Sequence, residues 1–219
     1  MPRGFGAGDW RPASLLHSIA RSLERLRTDA LDLVQLHSCS EAELRRGDAI
    51  AALETARARG MTRYIGYSGD GAAARYAVET GRFDTLQISL NIADQEALEG
   101  ALPPARRRGL GIIAKRPVAN AAWRTGKKPS DGYHHEYWRR LRALDYEFLK
   151  APLAESIATA LRFTLSVDGV HTAIVGTTNP ARWAENAALL ARGPLPKREI
   201  DTIRRRWRAV ARADWTGQV

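Results

Sequence analysis

A chain of 219 residues with 44% hydrophobic and 26% charged residues has the composition of a globular protein long enough to bury a core without staples. No run of 18 apolar residues occurs, which excludes a membrane-spanning helix, and the single cysteine, Cys39, excludes an internal disulfide and a multi-cysteine metal cluster. The formal net charge is +10; of the 34 basic residues five are Lys and the other 29 Arg, dispersed along the chain rather than gathered in a tail.

No apolar stretch follows the arginine near the N-terminus, so a secretory signal is not expected and a cytoplasmic location is the default. Leu15, Ile19, Leu23 and Leu26 then recur at helical spacing, with Pro12 tolerable in a first turn. Five short apolar runs have the length and character of strands covered on both faces. They are Leu31–Leu36 leading into His37, Arg63–Tyr67, Thr85–Ser89, Gly111–Lys115 and Thr172–Val175. Helical patterns lie between them over 47–59, 94–108, 154–166, 180–192 and 197–212, with a further helical excursion around His134–Leu149. Residues 124–133 read as an exposed loop. Strands alternating with helices predict right-handed crossovers and a parallel sheet. The expected fold class is therefore α/β with about five strands and outer helices, in one domain spanning 1–219. That count suits an open sheet or an arc of a (β/α) barrel, since a closed barrel needs about eight strands.

His37 falls at the C-terminal end of a strand, where active sites of parallel α/β proteins lie. The segment Gly176-Thr-Thr-Asn-Pro-Ala-Arg-Trp-Ala-Glu-Asn186 is a small polar turn opening a helix after an apolar strand. Free N–H groups at such a helix start favour phosphate, and Arg182, placed one turn inside the helix, could clamp a second one. The plainer reading is a capped helix with a solvated Arg182–Glu185 face. No Gly-x-Gly-x-x-Gly occurs, so a Rossmann fingerprint is not the route to a dinucleotide. His134-His135-Glu136 points its side chains about 100° apart on a helix and makes a poor metal site, so no metal is expected. Arg106–Arg108 and Arg204–Arg206 read as solvated helix faces, and without interleaved aromatics a nucleic acid is not the expected partner. Cys39 reads as a bystander thiol; Trp123 and Trp138 flank the long loop, as lining of a substrate pocket or as packing.

Four segments in order resemble the aldo-keto reductase family: Ser22–His37, Arg63–Ser68, Ala105–Pro117 and Gly169–Asn186, within a likeness running from about residue 14 to 212. The resemblance implies a (β/α) TIM-barrel-like domain, incomplete and truncated at the N-terminus, and NADPH, in preference to NADH, as cofactor for carbonyl reduction by hydride transfer. It makes His37 the histidine of a catalytic set whose Tyr, Lys and Asp come from preceding strands with no counterpart in this sequence. It places Ser68 and Gln87 on the nicotinamide carboxamide, although Gly69 stands where the family usually has Asn. Lys115 and Arg116 stand where many relatives have Tyr-Ser; a subset carries Lys-Arg-Pro. Gly176, Thr177, Thr178, Arg182, Glu185 and Asn186 become contacts of the adenosine phosphates and adenine edge. The implied partner is a small carbonyl substrate. The alternative is a non-catalytic NADPH-binding pseudoenzyme or interaction protein. A sheet cut short would leave the edge at Leu31–Leu36 unpaired and favour homo-oligomers.

Overall fold

The computed structural model describes residues 9–218; the first eight residues, where no secretory signal is expected, lie outside the described residues. The chain divides into two compact units, one of residues up to 88 with 100–111, the other of 89–99 with 112–218.

In the first unit Pro12 opens α1 (Pro12–Leu26), where its missing N–H would be unpaired in any case. The stripe begun by Leu15 buries Ile19, and the helix ends through Arg27 in the left-handed region (φ 52°). Three strands follow, β1 (Leu31–His37), β2 (Thr62–Ser68) and β3 (Thr85–Ser89). They pair in parallel, β1 with β2 and β2 with β3. The connections hold α2 (Glu41–Arg46), α3 (Asp48–Ala58) and α4 (Gly71–Thr80), and α5 (Leu102–Arg107) completes the unit. The α/β class and the parallel pairing are those expected.

Alternation along the strands separates two faces. Leu36, Ile65, Tyr67, Leu86 and Ile88 are all buried on the face shared with the helices. The other face carries Gln35, His37, Tyr64, Gly66, Ser68, Thr85 and Gln87, and Tyr64 there is 49% exposed. Gly66 is dictated by its neighbour in the row: a Cβ would lie 2.1 Å from Thr85 Oγ1 and 3.1 Å from the Thr85 carbonyl oxygen. Asp84 ties the strand starts together, accepting from the Ile65 amide at 2.8 Å and from Arg57 at 3.1 Å.

Two expectations need correction here. The helix expected over 47–59 is α3, but a separate α2 precedes it; Ser40 Oγ accepts from the Glu43 amide at 3.2 Å, a Ser-x-x-Glu start that the sequence displays. The helix expected over 94–108 is a 3₁₀ turn at Glu96–Leu98 and the short α5. Pro103 and Pro104 donate no N–H and fit only a first turn, so a helix cannot run through them.

The second unit contains β4 (Gly111–Lys115), whose first residue falls at the boundary, α6 (His135–Leu144), α7 (Leu153–Leu165), β5 (Thr172–Ile174), α8 (Arg182–Leu190) and α9 (Lys197–Val210). β5 pairs in parallel with β4, aligning Lys115 with Ile174. His171 extends the pairing with its ring: Ile112 N–H donates to His171 Nδ1 at 3.0 Å while the His171 amide donates to the Ile112 carbonyl. The core joins Tyr137, Leu141 and Leu144 of α6 to Phe163 of α7 and to Ile203 and Trp207 of α9. Arg140, 1% exposed, sits inside it, 3.8 Å from Asp94 and donating to Glu136, the Ala93 carbonyl and the Thr216 carbonyl. A buried guanidinium persists only with its donors met, and here they bind the 93–94 turn, α6 and the C-terminal tail together.

The arginine run of α9 is only partly a solvated face, with Arg205 exposed and its two neighbours engaged. Arg204 donates to Gln95 and Glu99, and Arg206 to the Ala143 and Leu144 carbonyls, so both hold the helix in place. Among the described residues no helix is long and apolar enough to cross a membrane.

Candidate functional site

The residues singled out in the first unit form one row. His37 is in register with Ser68, and Ser68 with Gln87, so the C-terminal ends of β1, β2 and β3 present three side chains side by side on the face away from the helices. Backbone bonds fix the row, since the Ser38 amide donates to the Ser68 carbonyl and the Gly69 amide to the Gln87 carbonyl. Gln87 Nε2 donates to Ser68 Oγ at 3.0 Å. That leaves the Ser68 hydroxyl proton and the second Gln87 Nε2–H as donors and Gln87 Oε1 as an acceptor, a set that can complement an amide group. His37 is exposed and makes no hydrogen bond among the described residues. Ser68 does not cap the following helix; the cap position of α4 is Asp70.

Behind the row lie two groups that the site does not use. Tyr67 is buried on the helix side and its hydroxyl donates to the Cys39 carbonyl at 2.7 Å. Burial raises its pKa well above that of free tyrosine, so it holds its proton. Burial also pushes the Cys39 thiol up to about 12, with Glu43 adding to the shift, so the thiol is inert.

In the second unit Lys115 ends β4 and Arg116 follows it. Lys115 is 7% exposed. Arg116 takes up a left-handed conformation (φ 56°) and donates to Tyr133 Oη and Ser89 Oγ, each at 2.9 Å, and to the Gln218 carbonyl. Three more residues with positive φ, Ala119, Asn120 and Ala121, follow at once and turn the chain away from the strand end.

The segment 176–186 is exposed apart from Asn186, which is half-buried, and α8 buries none of its residues. The helix begins at Arg182 itself rather than a turn earlier, so this guanidinium sits at the N-terminus. It pairs with Glu185 at 2.6 Å, and both side chains are about half exposed. A residue the sequence reading passed over organises the turn: Asn179 Oδ1 accepts from the Ala181 amide at 3.0 Å, and Thr177 Oγ1 accepts from the Asn179 amide at 3.1 Å. Asn before Pro is the signal for such a turn. Gly176 has nothing within 4 Å of a notional Cβ, and Thr178 makes no hydrogen bond among the described residues. The cradle therefore stands open to water with two of its amides already satisfied.

His134, His135 and Glu136 serve structure: His135 Nε2 meets the Pro129 carbonyl at 2.8 Å, His134 lies 3.4 Å from Asp131, and Glu136 holds Arg139 and Arg140. Trp123 and Trp138 pack against the core and line a cavity of the second unit.

The model of the Aldo/keto reductase family matches residues 4–208. The chain belongs to that family. Among curated relatives, D-threo-aldose 1-dehydrogenase of a Pseudomonas species is 29% identical over 197 residues, covering 84% of this chain and 59% of its own length. An uncharacterized oxidoreductase of Bacillus subtilis is 25% identical over 209 residues, covering 89% and 66%. The chain thus spans less than two thirds of the length of either relative. The holo form of aldo-keto reductase AKR11C1 from Bacillus halodurans superposes with a TM-score of 0.75 at 22% identity, covering 96% of this chain and 72% of that one. An aldo-keto reductase from Klebsiella pneumoniae in complex with NADPH gives 0.71 at 22% identity, covering 94% and 69%. These likenesses show the aldo-keto reductase fold, of which this chain carries five parallel strands with their helices.

Proposed function

We propose that this chain is the dinucleotide-binding part of an NADP(H)-dependent oxidoreductase that reduces a small carbonyl compound. The observation that carries the reading is the Ser68–Gln87 pair, held in register beside His37 with donors and an acceptor left over. A nicotinamide carboxamide offers the complementary acceptor and donor. The Klebsiella neighbour, bound to NADPH, supports the choice of dinucleotide. In the second unit, taken by itself, Arg182 with Gly176, Thr177 and Thr178 would meet phosphate. The Arg182–Glu185 pair uses Nη1 alone, so Nη2 and Nε stay available for an anion. Glu185 and Asn186 would face the adenine edge, and Lys115 and Arg116 would supply positive charge at the end of β4.

When bound, the reduced nicotinamide supplies a hydride to the carbonyl carbon. Negative charge then develops on the carbonyl oxygen, and the imidazole of His37 would polarise and orient that oxygen.

A second reading, a pseudoenzyme that binds NADPH without turnover, is favoured by Tyr67. Of the two tyrosines of β2 it is the one adjacent to Ser68, yet it faces the helices and spends its hydroxyl on the Cys39 carbonyl, so Tyr67 is no proton donor to this site. One experiment addresses both readings: fluorescence titration with NADPH, followed by NADPH consumption with 4-nitrobenzaldehyde. Saturable binding, weakened about tenfold by Arg182→Ala, is expected from loss of a charged phosphate contact. Consumption of NADPH selects the reductase, and binding without consumption the pseudoenzyme. Absence of binding at millimolar NADPH overturns both.

A further inference from the structure

The second unit holds a cavity of about 620 Å³ that none of Lys115, Arg116 or residues 176–186 lines. Its volume suits a small organic molecule. Trp123, Trp138 and Leu149 form an apolar lining; each rests on the core yet remains half-buried. The buried Tyr146 ring completes it. Two of the aromatics have already placed their polar ends: Trp123 Nε1 donates to Ser156 Oγ at 3.0 Å and Tyr146 Oη to the Ile92 carbonyl at 2.9 Å. What they offer a ligand is therefore ring surface.

The rim is basic. Arg142, Lys150 and Arg206 stand against one carboxylate, Asp145. The three cations are not equivalent. Arg206 donates to the Leu144 and Ala143 carbonyls at 2.6 and 3.1 Å, which caps the C-terminus of α6 and cancels the negative end of that helix dipole. Lys150 pairs with Glu147 at 2.5 Å. Arg142 makes no hydrogen bond or ion pair among the described residues. An apolar slot beside an uncommitted guanidinium, with the opposing helix dipole neutralised, matches one ligand chemistry: a flat apolar body carrying one carboxylate.

We propose that this cavity is a binding site for an aromatic carboxylate, whose ring lies against Trp123 and Trp138 and whose carboxylate pairs with Arg142. The site is independent of the dinucleotide reading, because it shares no residue with it. Calorimetric titration of the full chain with 2-naphthoate and its neutral isostere 2-naphthamide tests it. The acid is expected to bind at one site at least tenfold more tightly than the amide. Arg142→Gln, an exposed substitution, is expected to bring the acid down to the affinity of the amide, while Arg59→Gln, the same charge change on an exposed helix end of the first unit, leaves it unaltered. Saturating NADPH is expected to leave binding of the acid unchanged. Equal affinity for acid and amide, no effect of Arg142→Gln, an equal loss in Arg59→Gln, displacement by NADPH, or no binding of the acid at millimolar concentration would each overturn the proposal.

Discussion

The His37–Ser68–Gln87 row and the Gly176–Asn186 turn are built in opposite ways. The row rides on three paired strands whose far face is sealed by Leu36, Ile65, Leu86 and Ile88. Its positions are fixed by the backbone ladder, so a ligand meeting it orders little. The turn lies between a three-residue strand and a helix with no buried residue, and its polar groups largely satisfy one another. An anion there must compete with Glu185 for Arg182. The difference separates two tasks: a rigid row suits discrimination of a small polar group, whereas an exposed basic turn suits capture of charge at modest cost to the fold.

The contrast can be broken by substitution. The largest effect is expected from Leu86→Ala behind the row, where a fully buried side chain leaves a cavity: a loss of about 2–5 kcal/mol in urea unfolding, and with it loss of NADPH binding. Gly66→Ala comes next. Its methyl collides with Thr85 Oγ1 and approaches the Thr85 carbonyl, at a cost of about 1–3 kcal/mol, and Thr85→Ala in the same chain should recover part of that loss. The smallest effect is expected from Trp183→Ala on α8. Although tryptophan is large, this one is 78% exposed, so stability should stay within about 0.5 kcal/mol of the parent. A Trp183→Ala loss comparable to that of Leu86→Ala would show that the exposed segment is as firmly built as the row, and would erase the comparison.

Legibility followed the range of the forces involved. The strands β3 and β4 were readable to the residue because each is an apolar run bounded by polar or glycine positions. The start of α1 was readable from Pro12. The short α2 was displayed by Ser40 and Glu43 and passed over because its six residues carry little periodicity. The 94–108 helix failed for a local reason, the two prolines at 103 and 104. At the site, the sequence named the row and the turn by resemblance, but it did not show that Gln87 donates to Ser68, that Arg182 is engaged by Glu185, or that Arg116 is held by Ser89, Tyr133 and the C-terminal tail.

The order of the five strands, the α/β class and the family were determined by the sequence alone, because hydrophobic period and turn chemistry act between near neighbours. Which polar groups are spent and which remain open was decided only by tertiary structure. Arg140 and Arg142 stand two residues apart on one helix; the first is buried among four partners and the second is left free, since successive helical positions point in different directions and the packing of the chain decides what each direction meets.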